Sequence, residues 1–213
     1  SFLTFDHLRP VSEFVSRRGG GFLMLGGRSS FGQGGYANTP VEDLLPLNIR
    51  FGQGTAVPEF EDLEFQGRLT SYGFEHPVTR VVLDEAENRK QWDAAPSLVG
   101  INPTSGVKPG VTVLATASGG QDRGPVPVLL AFQRFGRGKT MALTTASTWR
   151  WRMGQDHRDG FHDTFWKQML RWLVSEAPDP VTVEAARSSC SLDESITVTA
   201  EVSDLDFLHV NNA

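Results

Sequence analysis

The sequence predicts an α/β fold with a mostly parallel sheet, followed by the opening strands of a β module. Three observations carry this. Leu8, Val11, Phe14 and Val15 recur at helical spacing. Phe22-Leu23-Met24-Leu25 is apolar without alternation, the pattern of a strand covered on both faces. Phe161, Phe165, Trp166, Met169, Leu170 and Leu173 mark one face of a late helix.

The elements follow in order. The first helix has Pro10 near its start and Arg17-Arg18 before Gly19-Gly20-Gly21, so it stops on cations and then glycine. The apolar strand comes next, completing an α/β unit. Thr39-Pro40-Val41-Glu42 fits a capping box with proline at the first helical position, and this short helix ends by Pro46. Glycine and proline punctuate residues 47–110, where short strands near 47–51 and 63–70 and a helical piece around 84–94 are expected. Strands are expected at Val111 to Thr116, Val126 to Gln133 and Lys139 to Thr145. The last two form a hairpin through Phe135-Gly136-Arg137-Gly138. Asp159 is placed to cap the late helix, and Pro178 lies beyond its end.

From Asp179 the character changes. Val181-Thr182-Val183, and then Ile196, Val198, Ala200 and Val202 alternating with polar residues, give a period of two, that of a half-buried strand. The expected division is an α/β domain over 1–178 and a truncated β module over 179–213. A chain of 213 residues fits one full domain plus a fragment.

Hydrophobic residues make up 39% and charged residues 21%, an ordinary globular balance, so disorder is not expected. The net charge of −5, with scattered cations, offers no basic stripe and argues against nucleic acid as a partner. Cys190 is the only cysteine, so there is no internal disulfide and no cysteine-rich metal site, and it reads as a small buried residue. No apolar run approaches the roughly 18 residues that span a bilayer. The chain opens at Ser1 without methionine and ends at Val210-Asn211-Asn212-Ala213 after a strand-like segment, so both ends are expected to be cut from something longer.

The first candidate site follows the apolar strand. Ligands of open α/β sheets sit beyond the carboxyl ends of strands, where backbone N–H groups and a helix N-terminus hold anions. Gly26, Gly27, Arg28, Ser29 and Ser30 occupy that position, with Arg28 as a carboxylate or phosphate partner; a plain glycine turn is the alternative. The stretch matches neither dinucleotide nor phosphate-loop spacing, and Gly27-Arg28-Ser29-Ser30-Phe31 misses the last glycine of an esterase elbow. Candidate catalytic side chains are Ser29 or Ser30, with a histidine such as His76, His157 or His162 as base. His76-Pro77 is also a turn signal.

The second candidate, Thr144 to Arg152, closes a strand. Ser147, Trp149 and Arg150 could line a pocket for an anionic or sugar-like ligand, against the alternative that the tryptophans pack on the next helix. An anion clamped between Arg28 and Arg150 would make the domain a small-ligand sensor. His157 and His162 with Asp156, Asp159 and Asp163 lack a strong metal-ligand spacing and read as a solvated loop leading into a helix. No metal or cofactor is expected.

Taken together, certain segments resemble the class I glutamine amidotransferase-like domains and, more distantly, ThuA-like proteins. They are Arg18-Gly19-Gly20-Gly21 with the apolar strand and Gly26-Gly27, Ser30-Phe31-Gly32 with Gly34-Gly35-Tyr36, Thr39-Pro40 with Leu44-Leu45-Pro46, and His76-Pro77. Gly136-Arg137-Gly138-Lys139, Trp149-Arg150-Trp151, and Phe165-Trp166 with Arg171-Trp172-Leu173 complete the set. The resemblance covers about residues 3 to 177. It implies a flavodoxin-like three-layer sandwich with one further βα unit before Ser1, and an immunoglobulin-like module for the tail. It also implies a membrane-anchored bacterial parent protein with von Willebrand factor A-type and immunoglobulin-like neighbour domains. The soluble part would face the periplasm or cell envelope, with a cytoplasmic place left open. Working members place a cysteine at the elbow and a histidine and glutamate after a late strand. This elbow reads Leu25-Gly26-Gly27-Arg28-Ser29 and the late strand ends in Ser147-Thr148-Trp149, so the resemblance implies the fold without the amidotransferase chemistry.

Overall fold

The computed structural model describes residues 5–52, 55–118, 126–154, 160–175, 181–185, 187, 189 and 195–202. Helix α1 (Phe5–Arg18) carries Asp6 in its first turn and Arg17 and Arg18 in its last, charges that suit the two ends of the helix dipole. It buries Leu8 and Val15, while Phe14 stays half exposed. Strand β1 (Gly21–Leu25) follows, then α2 (Pro40–Leu44), β2 (Leu47–Asn48), β3 (Glu61–Leu69), α3 (Ser71–Glu75), a 3-10 turn at Pro77–Thr79 and α4 (Glu85–Ala94). The remainder is β4 (Leu98–Ile101), β5 (Gly106–Val107), β6 (Thr112–Ser118), β7 (Val128–Phe135), β8 (Gly138–Leu143), α5 (Trp149–Met153), α6 (Phe161–Val174), β9 (Val181–Ala185) and β10 (Val198–Val202).

The main sheet has the order β1-β8-β7-β6-β3-β4. The expected α/β class holds, but the sheet is mixed rather than mostly parallel. Among the described residues only β1 and β8 pair in parallel, with Leu25 opposite Leu143; the other neighbours in this sheet are antiparallel. The reason is local. Gly136-Arg137 joins β7 to β8 as a two-residue turn with Phe135 opposite Gly138, and so short a connection permits only antiparallel pairing. At the end of the strand order, β1 is less covered than its apolar run predicts, and Leu25 is 41% exposed.

Two apolar cores lie on the two faces of the sheet, making three layers. On one face Trp92 of α4, Trp151 of α5 and Phe161, Phe165, Met169 and Leu173 of α6 pack over Leu130, Met141 and Leu143. On the other, Leu8 of α1 and Val41 of α2 pack with Phe31 and Ile49 over Ala131 and Ala142. Helix α6 buries the predicted stripe, except that Leu170 is 53% exposed and Trp166 only partly buried. Gly160 stands at its N-cap without a side-chain bond; Asp159, the expected cap, lies outside the described residues.

Helix α2 starts at Pro40 as predicted, but not through a capping box. The Thr39 hydroxyl donates to the Tyr36 carbonyl, and Glu42 accepts from the Asn38 N–H while pairing with Arg50. Burial works against the Glu42 charge, yet these hydrogen bonds hold its carboxyl below the ordinary value. In the tail, β9 and β10 pair antiparallel, and Val183 and Val198 are exposed rather than half-buried. Cys190 lies outside the described residues.

Candidate functional site

Because β1 and β8 run in parallel and in register, their carboxyl ends emerge side by side. Gly26 donates its N–H to the Leu143 carbonyl at 2.7 Å. A Cβ on Gly26 would overlap the Thr144–Thr145 peptide, so only glycine lets the two chains lie this close. Gly27 follows with φ +151°, a conformation that side chains rarely adopt. No helix starts here, contrary to expectation: residues 27 to 35 form turns, and the next helix opens at Pro40. The run of Gly32, Gly34 and Gly35 disfavours helix, so no helix dipole faces the site.

A third chain segment seals the elbow. Residues after β3 and β4 fold back over the end of β8, where the Asn102 N–H donates to the Thr144 carbonyl at 2.8 Å. The Asn102 side chain, 1% exposed, grips the elbow itself. Its Oδ1 accepts from the Gly27 N–H at 2.8 Å, and its Nδ2 donates to the Gly27 carbonyl at 2.9 Å. The same Nδ2 also reaches Ser30 O at 3.4 Å and Gln33 Oε1 at 3.0 Å. Gln33 is fixed in turn by its bond to the Pro58 carbonyl at 2.6 Å. One carboxamide thus pairs with both the donor and the acceptor of a single glycine.

The candidates themselves fall into three groups. Gly26 and Gly27 are consumed by the protein as just described. Arg28 is exposed, ion-paired to Asp62 of β3, with its guanidinium 5.4 Å from the Phe60 ring. Ser147 is buried; its hydroxyl accepts from the Val99 N–H at 3.0 Å and lies 2.9 Å from the Thr145 hydroxyl, which donates to the Gly100 carbonyl. Arg150 donates to the Ser97 carbonyl at 2.9 Å and pairs with Glu64 at 3.4 Å. The two arginines expected to clamp an anion are therefore each matched by a carboxylate of β3. Ser147 holds β4 against the end of β8.

Ser29 is exposed and Ser30 partly so, and among the described residues no histidine hydrogen-bonds to either. His76 lies elsewhere, between Phe132 at 4.7 Å and Trp172 at 5.1 Å and beside Lys139. Lys139 and Thr144 are five positions apart along one extended chain, roughly 16 Å. His162 pairs with Asp163, and His157 lies outside the described residues. Among the described residues no cluster of histidine, cysteine, aspartate or glutamate could hold a metal. Trp149 is 57% exposed, whereas Trp151 is buried against Trp92, Phe161 and Phe165, so packing accounts for one tryptophan of the pair and not the other. Two donors at the elbow stay unused: among the described residues the backbone N–H groups of Arg28 and Ser29 have no partner.

The chain matches the family model described as "Putative glutamine amidotransferase" over residues 2–175. It belongs to that family. The amidotransferase-like fold is shared with two solved proteins. One is Cytoplasmic Protein STM3548 from Salmonella typhimurium, 23% identical with a TM-score of 0.56, the match covering 78% of this chain and 60% of that one. The other is Cytoplasmic Protein STM1381 from Salmonella typhimurium LT2, 24% identical with a TM-score of 0.58, covering 79% and 60%. The chain therefore spans 60% of the length of these solved proteins, and the likeness is one of fold. No curated protein matches it.

Sequence reasoning named Gly26 to Ser30, Ser147, Trp149 and Arg150 but missed the partners Asn102, Gln33, Asp62 and Glu64. One signal was available. Leu98 to Ile101 is an apolar run that stops at Asn102-Pro103, a turn pair that ends a strand at the residue that matters.

Proposed function

We propose that this chain is a non-catalytic glutamine amidotransferase-like domain, a binding or scaffolding unit in a larger membrane-anchored protein. One observation carries the reading: the Gly27 N–H, a donor that an acyl-transfer site would aim at its oxyanion, is spent on the Asn102 carboxamide. The sequence supports it, with Arg28 and Ser29 where the family's working members hold cysteine and no histidine or glutamate in Ser147-Thr148-Trp149. The serine-hydrolase alternative lacks a base bonded to Ser29 or Ser30 among the described residues. If the elbow binds a small molecule, the free Arg28 and Ser29 amides suit a small anion.

The wider context is part of the same proposal. The α/β domain runs over 1–178 and an immunoglobulin-like module begins at 179, its partners being immunoglobulin-like and von Willebrand factor A-type domains of the parent protein. Exposed Val183 and Val198 on the β9–β10 pair support a module that needs further strands, since a lone hairpin is marginal. Among the described residues no helix is long and apolar enough to cross a membrane, so an anchor would lie outside them, with this domain on the periplasmic or cell-envelope side.

The test is ammonia release from glutamine by the purified chain, alongside a thermal-shift screen of carboxylates and phosphates. Expected are background turnover and a Tm rise with a small anion that Arg28→Ala reduces. Glutaminase activity abolished by Ser29→Ala would overturn the non-catalytic reading, and a flat screen would remove the anion from it.

A further inference from the structure

We infer that Asn102 is a latch, and that the turn-rich strap from Gly26 to Gly35 is a conformational unit which the Asn102 carboxamide holds shut. The inference rests on hydrogen-bond geometry and does not depend on whether the elbow binds or catalyses anything.

The strap has little of its own to hold it. It contains Gly26, Gly27, Gly32, Gly34 and Gly35, and its internal bonds are turns such as Ser30 N–H to Gly27 O at 3.1 Å and Gly34 N–H to Ser30 O at 3.1 Å. It is also strained. Phe31 is fully buried with φ +52°, a left-handed conformation uncommon for a bulky side chain. Against that strain stand the burial of the Phe31 ring, the Gln33 bond to the Pro58 carbonyl, the exposed Arg28–Asp62 pair and, with the most contacts, the Asn102 side chain. That one carboxamide contacts the strap at Gly27 N, Gly27 O, Ser30 O and Gln33 Oε1, spanning most of its length. Asn102 is itself anchored outside the strap, by its own N–H on Thr144 O. Backbone groups held by one side chain lose that anchor together when it is removed, which lowers the free energy of opening that segment locally. The Asn102 latch therefore sets the opening equilibrium of the strap and, with it, the exposure of the Phe31 ring.

The pairing on Gly27 needs one acceptor and one donor on a single planar group. Asparagine has both. Aspartate has both only when protonated; ionised, it sets a carboxylate oxygen against the Gly27 and Ser30 carbonyls.

Hydrogen exchange followed by mass spectrometry on the full chain tests this. In Asn102→Ala, the bonded amides of the strap, those of Gly27, Ser30, Gly34 and Gly35, should exchange about tenfold faster or more, with β6 and β7 unchanged. Adding formamide, which carries the same donor and acceptor and matches the deleted carboxamide, should slow that segment again, while formate at equal concentration should not. In Asn102→Asp the strap should be loose at pH 7 and regain protection on acidification through the carboxyl's pKa. A role in ordinary core packing would produce neither rescue. Unchanged exchange at 27–35 in both variants, or deprotection spread evenly over the chain in both, would overturn the latch.

Discussion

At the scale of single residues, surroundings decide what a side chain does more than its type. His76 was a reasonable base on inventory, yet it lies among Phe132, Trp172 and Lys139, with its Nδ1 accepting from the Val78 N–H at 3.3 Å. Burial, helped by the positive charge of Lys139, pushes its pKa from 6.5 down to about 4. The ring is thus neutral in the fold, while the unfolded chain takes up a proton near pH 6.5. This contribution to stability is complete above that pH, falls as pH drops towards 4, and levels off below. At ~1.4 kcal/mol per pH unit the shift sets a ceiling of about 3 kcal/mol, and solvent access to the ring brings the expected loss to about 2 kcal/mol. Urea unfolding at pH 7.5 and 4.5 checks it: His76→Phe, which keeps the ring contacts, should lose less stability between the two than the natural chain. Equal losses would mean that the histidine is protonated in the fold. The Asn102 role was not readable in this way, because nothing in a lone asparagine before proline tells which backbone it will reach.

At the scale of elements, α5 offers a controlled comparison within five residues. Trp151 is 1% exposed, stacked edge-on against Trp92, Phe161 and Phe165, and its indole N–H donates to the Pro96 carbonyl at 3.0 Å; Trp149 is 57% exposed. Trp151→Ala should therefore cost about 3–5 kcal/mol, and Trp149→Ala under about 0.5 kcal/mol, both read from urea midpoints. A large loss at Trp149 would show a contact that its exposure does not reveal. What was legible at this scale follows from length and period. The helices carrying Leu8 to Val15 and Phe161 to Leu173 and the strands of the β7–β8 hairpin have patterns long enough to read. Helix α3 is only five residues, with Gly73 inside, and β4 is four residues between prolines, so neither offers a full period. The apolar run read as a parallel strand does pair in parallel, with β8, but it carries no information on the other neighbours in the sheet, which run antiparallel.

At the scale of the whole molecule, an acyl-transfer elbow must collect parts from distant segments. The parallel register of Leu25 and Leu143 does deliver the ends of β1 and β8 to one place. But the return of β4 over that place, seventy-five residues from Gly27 along the chain, uses up the parts. Asn102 takes the Gly27 N–H, Ser147 takes the Val99 N–H, and Asp62 and Glu64 take the arginines. No local pattern encodes such long-range pairing, so the occupied state of the site had to come from the structure. On the proposed non-catalytic reading, a thiol alone would not supply amidotransferase chemistry. Arg28→Cys or Ser29→Cys would supply a nucleophile without a free Gly27 donor and without a base at the end of β8. Both variants should release no ammonia from glutamine above background. Their cysteines should be alkylated by iodoacetamide with a midpoint near pH 8.5, the value for a thiol without an activating partner. Turnover in either variant, or a midpoint shifted well below that, would mean that the fold still assembles an activating site around the elbow.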